Sequence, residues 1–210
     1  MATTYLHAVA SLDGFIARED DDVGPLHDWY FDGDHPIVPD DHADSHGGSP
    51  FRVSAASAAY VRGMWERQSV LIIGHHQFDL TNGWDGHPAA SDHVVVVSHR
   101  PKPEGRHPET PFHFVGSVSE AVELAHRLAG DGDIGIGAGG VGGQALQLGL
   151  VDHVAIDDVP VVLGRGKRHF GACTDDQVLL GDPDAVVQGR GALHLRYPVR
   201  ETPSSTSREG

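Results

Sequence analysis

The residues best suited to chemistry form a glycine run at Ile134–Gln144, IGIGAGGVGGQ, with six glycines in the nine positions 135–143. A short strand that runs into such a turn and then a helix lets peptide N–H groups approach a bound phosphate. The helix N-terminus adds unpaired donors and a partial positive charge. The alternative is a crowded strand-to-helix junction that holds no ligand. Within the run, Gly137-Ala138-Gly139-Gly140-Val141-Gly142 fits G-x-G-x-x-G, and Asp157 lies twenty residues beyond Gly137. A Rossmann protein places a ribose-binding acid at that distance, so an NAD-dependent Rossmann dehydrogenase is one reading. Against it, the run sits two-thirds of the way along the chain, and little sequence remains for the rest of such a fold.

The sixteen histidines invite a metal site. His75 and His76 are adjacent, which on a helix points their rings about 100° apart. His42 and His46 have i,i+4 spacing, but Pro39 and Gly47-Gly48 argue against a helix there. No H-E-x-x-H pattern occurs, and the one cysteine, Cys173, excludes an internal disulfide and a multi-cysteine metal site. Neither a catalytic metal nor a cysteine nucleophile is expected.

The elements that must position these residues are short. Apolar runs at Tyr5–Ala10, Val70–Ile73, Val94–Val97, Phe112–Val115, Ile134–Ile136, Val151–Ile156, Val159–Leu163 and Leu193–Tyr197 read as buried strands. Val94–Val97 has no polar alternation, which predicts a strand covered on both faces. Val53, Ala56, Tyr60 and Met64 share one helical stripe. Ser117-Val118-Ser119-Glu120 has the form of a capping box, worth about 1 kcal/mol, and opens a helix that Gly130 ends. A further helix is predicted from about Gly142 to Leu148. Strands alternating with helices give an α/β domain with a mainly parallel sheet. Turns at Asp182-Pro183-Asp184 and Gly189-Arg190-Gly191 predict antiparallel strands at a C-terminal edge.

Composition narrows the class. The chain has 210 residues, 39% hydrophobic and 21% charged, which suits one domain over residues 1–200. A formal charge of −15 argues against nucleic acid or an anionic membrane as partner. No apolar run approaches the roughly 20 residues of a membrane span. Residues Met1–Ala10 lack a signal-type pattern, so a soluble cytoplasmic protein is expected. Residues 19–50 read as an acidic loop insertion: Glu19–Ser45 carries ten acidic residues, three prolines and no Lys or Arg. Such a loop is either a lid or a solvated insertion. Glu201–Gly210 is a Ser/Thr-rich tail expected to fray.

Several segments in order resemble a known family. They are Ala10-Ser11-Leu12-Asp13-Gly14-Phe15-Ile16-Ala17, Leu71-Ile72-Ile73-Gly74, the glycine run followed by Leu148-Gly149-Leu150-Val151-Asp152, Pro160-Val161-Val162-Leu163-Gly164-Arg165-Gly166-Lys167-Arg168-His169-Phe170, and Leu195-Arg196-Tyr197. Together, over Thr4–Val199, they are similar to the dihydrofolate reductase-like family that includes the reductase domain of bacterial riboflavin biosynthesis. The resemblance implies a three-layer α-β-α fold with a mixed sheet of about eight strands, an NADPH site, a small-molecule substrate and a homodimer.

Carried over by position, Gly137, Gly139, Gly140, Val141, Gly142 and Gly143 would hold the pyrophosphate. Gly74 and His75 would form a second phosphate-side turn, although the family's usual Arg is replaced by His75. Ser98 falls where the family binds the adenosine 2′-phosphate, with Arg100 close by. An arginine there favours NADPH by about 1.5–3 kcal/mol, whereas an acid at the ribose would favour NADH. Ser11 and Gly14 would lie at the cofactor–substrate junction. Asp13 is the candidate catalytic group: a buried carboxylic acid with a raised pKa can donate a proton, and the alternative is a turn cap. Trp29 would cover the nicotinamide or stack on a flat substrate, or else plug the insertion. Asp157 and Asp158 would face the substrate or solvent. The implied activity is an NADPH-dependent reduction of a C=N or C=O in a small, flat or heterocyclic metabolite. A non-catalytic nucleotide-binding protein of the same fold is the second reading.

Overall fold

The computed structural model describes residues 2–37, 51–88, 90–172 and 177–200. Part of the acidic insertion, His42, His46, Cys173 and the 201–210 tail lie outside them. The strands in chain order are β1 (Thr4–Ser11), β2 (Phe15–Ala17), β3 (His35–Pro36), β4 (Arg52–Val53), β5 (Gln68–Gly74), β6 (His93–Val97), β7 (Phe112–Val115), β8 (Asp133–Gly137), β9 (His153–Val159), β10 (Lys167–Arg168), β11 (Ala185–Gln188) and β12 (Leu193–Pro198). The α-helices are α1 (Ala55–Arg67), α2 (His75–Leu80), α3 (Val118–Leu128) and α4 (Gly140–Gln147), with a 3₁₀ helix at Gly24–Phe31.

Eight strands form one sheet in the order β11-β12-β9-β1-β8-β5-β6-β7. The six from β9 to β7 run parallel, and β12 and β11 add the expected antiparallel edge. The crossovers put helices on both faces, so the central strands are covered twice and need apolar residues at successive positions. Val94, Val95 and Val96 are all buried for this reason.

On one face, Ala121, Val122 and Ala125 of α3 and Ala145 and Leu146 of α4 pack on Leu6, Ile72, Val95, Ile134, Ile136 and Val154. On the other, Ala58 and Val61 of α1 and Leu26 and Trp29 of the 3₁₀ helix pack on Val9 and Val159. Phe78 of α2 joins Ile73, Val94, Val96 and Phe112 beside them. Fully burying one such side chain contributes about 1.5–3 kcal/mol, so the two layers together hold the sheet.

Three sequence expectations are corrected. The buried face of α1 is Ser57, Ala58 and Val61 instead of the stripe through Ala56. A hydrogen bond to His194 of the sheet turns Ser57 inward, and an apolar count does not register it. Helix α4 begins two residues earlier than expected, at Gly140. The run Val159–Leu163 is a strand only at its first residue: Pro160 has no N–H to give a ladder, and Val162 stands 68% exposed. Helix α3 begins at the expected cap, with Ser117 Oγ accepting from Glu120 N–H at 3.2 Å. Glu120 reaches one residue further back than a standard box, accepting from Gly116 N–H at 3.0 Å.

Candidate functional site

The parallel strands β1, β5, β6, β8 and β9 end side by side at Ser11, Gly74, Val97, Gly137 and Val159. Ligands of open α/β sheets bind beyond these carboxyl ends. Strand β8, which enters late in sequence, lies between β1 and β5. Its glycine turn is thereby placed at the centre of the edge, flanked by Ser11–Gly14 and by Gly74-His75.

The turn is tight. Gly139 caps α4 at φ 90° and gives its N–H to His169 O at 2.7 Å. A Cβ on Gly142 would lie 2.7 Å from Gly137 O and 2.8 Å from Leu6 Cδ1, so only glycine fits. Around Gly140 the space is open. The first helical bond is Gly143 N–H to Gly139 O at 2.9 Å, so the amides of Gly140, Val141 and Gly142 precede it and are available to a ligand. Gly74 approaches the same turn, its Cβ position lying 3.2 Å from Val141 Cγ2.

His75 and Ser98 meet. His75 Nδ1 lies 2.8 Å from Ser98 Oγ, and its Nε2 lies 3.0 Å from Asp79 Oδ2. Ser98 Oγ also donates to Arg100 O at 2.7 Å and accepts from Arg100 N–H at 2.9 Å. The Arg100 guanidinium is exposed and makes no ion pair among the described residues.

Asp13 takes the turn-cap role. Its carboxylate accepts from Ser11 Oγ at 2.6 Å, Leu163 N–H at 3.1 Å and Gly164 N–H at 2.7 Å. The Ser11 bond, then the two backbone amides, outweigh desolvation and hold the Asp13 carboxyl below its ordinary range. A raised-pKa proton donor at Asp13 is thus corrected to an ionised clamp between the β1 and β9 loops. Ser11 Oγ serves the same turn, accepting from Phe15 N–H at 3.0 Å, and Gly14 turns at φ 83° while its carbonyl accepts from His169 N–H at 2.9 Å.

Two substrate-side expectations are also corrected. Trp29 is 2% exposed, stacked on Tyr30 with ring centroids 4.0 Å apart, and belongs to the core beneath the insertion. Its large apolar ring favours the plug over the roof, although the buried Nε1 has no hydrogen-bond partner among the described residues. Asp157 is 1% exposed and faces neither solvent nor the ribose. His7 Nε2 lies 3.0 Å from one carboxylate oxygen and His194 Nδ1 2.6 Å from the other. Burial raises the carboxyl pKa, but the charge of His7 and the bonds from both histidines win and hold it well below the usual carboxylate range.

The roles of His7, Ser57, His169 and His194 escape sequence reading, because isolated polar residues on β1, α1, β12 and the turn after β10 carry no spacing signal. The alternation Leu193-His194-Leu195 is a hint, since it sets His194 on the face opposite two leucines. His169 is 1% exposed, and neither ring nitrogen has a partner among the described residues. Burial first, then the charge of His7, pushes its pKa down to about 4, so the ring is neutral at neutral pH. It lines a cavity of about 210 Å³ with Ser11, Leu12, Gly14, Asp158 and Tyr197. Burial raises the Asp158 carboxyl in the same cavity.

The acidic insertion is tied across this edge. The Asp21 carboxylate bonds the Lys167 ammonium of β10 and lies 2.8 Å from His76 Nε2 of α2. The Lys167 bond, followed by that from His76, lowers the Asp21 carboxyl. Among the described residues no cluster of His, Cys, Asp or Glu could hold a metal ion, and no helix is long and apolar enough to cross a membrane.

The topology is shared with solved structures. A protein described as a riboflavin biosynthesis protein of Shewanella sp. PV-4 superposes with a TM-score of 0.66 at 20% identity, covering 96% of this chain and all of that one. The fold is that of the dihydrofolate reductase-like reductases. The RibD protein of Acinetobacter baumannii has a TM-score of 0.60 at 14% identity, and the match covers 95% of this chain but 58% of that one. A pyrimidine reductase-like protein from Corynebacterium diphtheriae has a TM-score of 0.55 at 13% identity, with 96% and 93% covered. No protein-family model and no curated protein sequence matches the chain. In the dihydrofolate reductase-like fold the glycine turn is not the opening βαβ unit of a Rossmann domain. With Asp157 locked between two histidines, the Rossmann dehydrogenase reading is set aside.

Proposed function

We propose that the chain is an NADPH-dependent reductase acting on a C=N or C=O of a small, flat or heterocyclic metabolite. The observation that carries the reading is the glycine turn. It sits at the centre of the sheet's carboxyl edge, with three first-turn amides that make no hydrogen bond among the described residues and an open Cβ position at Gly140. The residues present fit a dinucleotide. Gly142 lets the turn pack tightly on Leu6 and Gly137, Gly140 leaves its Cβ position open, and Arg100 supplies an exposed cation beside Ser98. When bound, the coenzyme would supply a hydride; the protein's part is to hold the diphosphate, orient the ring and exclude water. The likeness to proteins described as riboflavin biosynthesis and pyrimidine reductase-like proteins supports the same reading. A homodimer and a cytoplasmic location belong to this proposal.

A sequestering protein that binds the nucleotide without turnover is favoured by one observation: His75 and Ser98 already satisfy each other. Titration with NADPH and NADH, followed by NADPH oxidation against a panel of metabolites, separates the two. The reductase predicts saturable NADPH binding and turnover of at least one metabolite. Arg100→Ala should weaken NADPH by about 10- to 100-fold and leave NADH unchanged, the effect of losing one charge-assisted contact. Binding with no turnover favours the sequestering protein, and no saturable binding overturns both.

A further inference from the structure

A polar chain crosses the core on the α1 side of the sheet. Ser54 Oγ donates to Ser57 Oγ at 3.0 Å, and Ser57 Oγ lies 2.9 Å from His194 Nε2. His194 Nδ1 lies 2.6 Å from Asp157 Oδ1, and Asp157 Oδ2 lies 3.0 Å from His7 Nε2. Ser54 Oγ accepts from Ser57 N–H and Arg190 N–H, so its own proton goes to Ser57. The Ser57 proton then goes to His194 Nε2, which leaves His194 Nδ1–H to donate to the carboxylate. His7 Nε2–H gives the second bond. Ser57, His194 and Asp157 are each at most 1% exposed, whereas the His7 side chain is 19% exposed. His7 is the end of the chain that reaches outside, and its Nδ1 has no hydrogen-bond partner among the described residues.

The location of that end matters. His7 pairs in register with Gly137, the first residue of the glycine turn. Strand β8 turns Ile134 and Ile136 to the α3–α4 face and Gly135 and Gly137 to the face of His7. Beside His7 these glycines leave room that the Gln68 and Gln77 carboxamides fill; Gly135 is buried and Gly137 half-buried. The neighbours are amides: a Cβ at Gly137 would meet Gln77 Oε1 at 2.8 Å, and one at Gly135 would meet the Gln68 carboxamide. The Gln77 carboxamide and half-buried Gly137 are the polar groups that a ring next to the turn would meet.

We propose that His7 is the proton donor to the substrate, and that Asp157, His194 and Ser57 are positioning residues that fix its ring. This rests on the reductase reading above. The C=N or C=O π bond breaks as its carbon accepts the hydride of NADPH, and the electron pair moves to nitrogen or oxygen. That atom takes the proton from Nδ1–H of the imidazolium form of His7, which is left as a neutral ring with its Nε2–H on Asp157. The substrate is reduced, the dihydronicotinamide is oxidised, and His7 is reprotonated from solvent. Other titratable groups around this end are accounted for. Asp157 stays anionic, and burial pushes Tyr60 up to about 12 and Tyr30 higher still. Burial likewise raises Tyr5, and His169 is neutral. His194 has no path to solvent.

The test uses the full chain labelled with ¹⁵N-histidine. In the protein without coenzyme, His7 should show an Nε2–H held on Asp157 that Asp157→Asn releases; an unchanged His7 ring in that variant overturns the positioning role. Saturating NADPH should shift the His7 Nδ1 resonance more than that of His194. An unmoved His7 in protein that binds NADPH overturns the donor role and leaves the reductase reading standing, whereas absent NADPH binding overturns that reading itself. With quinonoid dihydropterin and isatin as C=N and C=O probes, His7→Gln should lower single-turnover hydride transfer at least 100-fold. Its NADPH affinity should stay within threefold, and the pH dependence should flatten. A rate within threefold of wild type overturns the donor role, whereas a wild type that binds NADPH but reduces neither these probes nor the metabolite panel overturns the reductase reading on which that role rests.

Discussion

Ser57 Oγ and His194 Nε2 lie 2.9 Å apart in the core, both fully buried, although 137 residues separate them in the chain. With Asp157 on the far ring nitrogen they form a serine–histidine–aspartate array, and its burial keeps it from acting as a nucleophile. Tyr60 stacks on His194 at 5.0 Å and Trp29 meets its edge at 5.1 Å, so the ring has one orientation. Ser57→Ala leaves His194 Nε2 buried and unbonded. That should cost about 1–3 kcal/mol in urea denaturation, and a loss under about 0.5 kcal/mol would show that the bond contributes nothing.

His169 should give the protein an acid-sensitive limb. Its pKa is about 4 in the folded chain and about 6.5 when unfolded, so the unfolded state binds more protons between those values. Stability is complete above pH 6.5 and falls as pH drops toward 4, by about 3 kcal/mol in all. The melting temperature of His169→Leu should be flat over that window while that of the wild type falls. Parallel curves would place the acid sensitivity elsewhere. Asp157 acts in the same direction at lower pH, since its stabilisation is lost only as pH falls from about 4 toward its depressed folded value.

Two glycines of the turn separate folding from binding. Gly142→Ala places a methyl group against Gly137 O and Leu6, and overpacking of this kind costs about 1–3 kcal/mol. Gly140→Ala meets nothing within 4 Å and starts a helix, so stability should hold or rise by a few tenths of a kcal/mol. NADPH affinity should nevertheless fall at least tenfold in Gly140→Ala, because the new methyl group occupies ligand space. Unchanged affinity measured by fluorescence titration would move the diphosphate away from this turn.

Asp21 is the anion that now occupies Lys167 and His76. Asp21→Asn keeps a residue tolerant of the observed φ of 72° and removes the charge. Coenzyme affinity should rise about threefold to tenfold at low salt, and the gain should shrink at 0.5 M salt, where screening is strong. A fall in affinity would mean that the insertion helps to build the site.

Much of the fold is legible in residue order. The apolar runs place strands because both faces of a parallel sheet are buried, and Ser117 and Gly130 mark the ends of α3 through hydrogen bonding and positive φ. The glycine turn is legible because close backbone approach leaves only one residue type available. Asp13 and Trp29 show where such reading stops. Their side-chain types fit both roles considered for each, and the partners that decide, Leu163 and Gly164 for one and the β9 core for the other, are distant in sequence.

By itself, the sequence determined local matters: which segments extend, where helices are capped, and which turn needs glycine. These depend on backbone sterics and on hydrogen bonds between near neighbours. Only the tertiary structure decided that β8 slots between β1 and β5, and that His7, Asp157, His194 and Ser57 join in one chain of hydrogen bonds. The physical reason is that a buried charge must find partners wherever the fold brings them. Strand order, set by burial of both sheet faces, brings these four together from positions that spacing alone cannot connect.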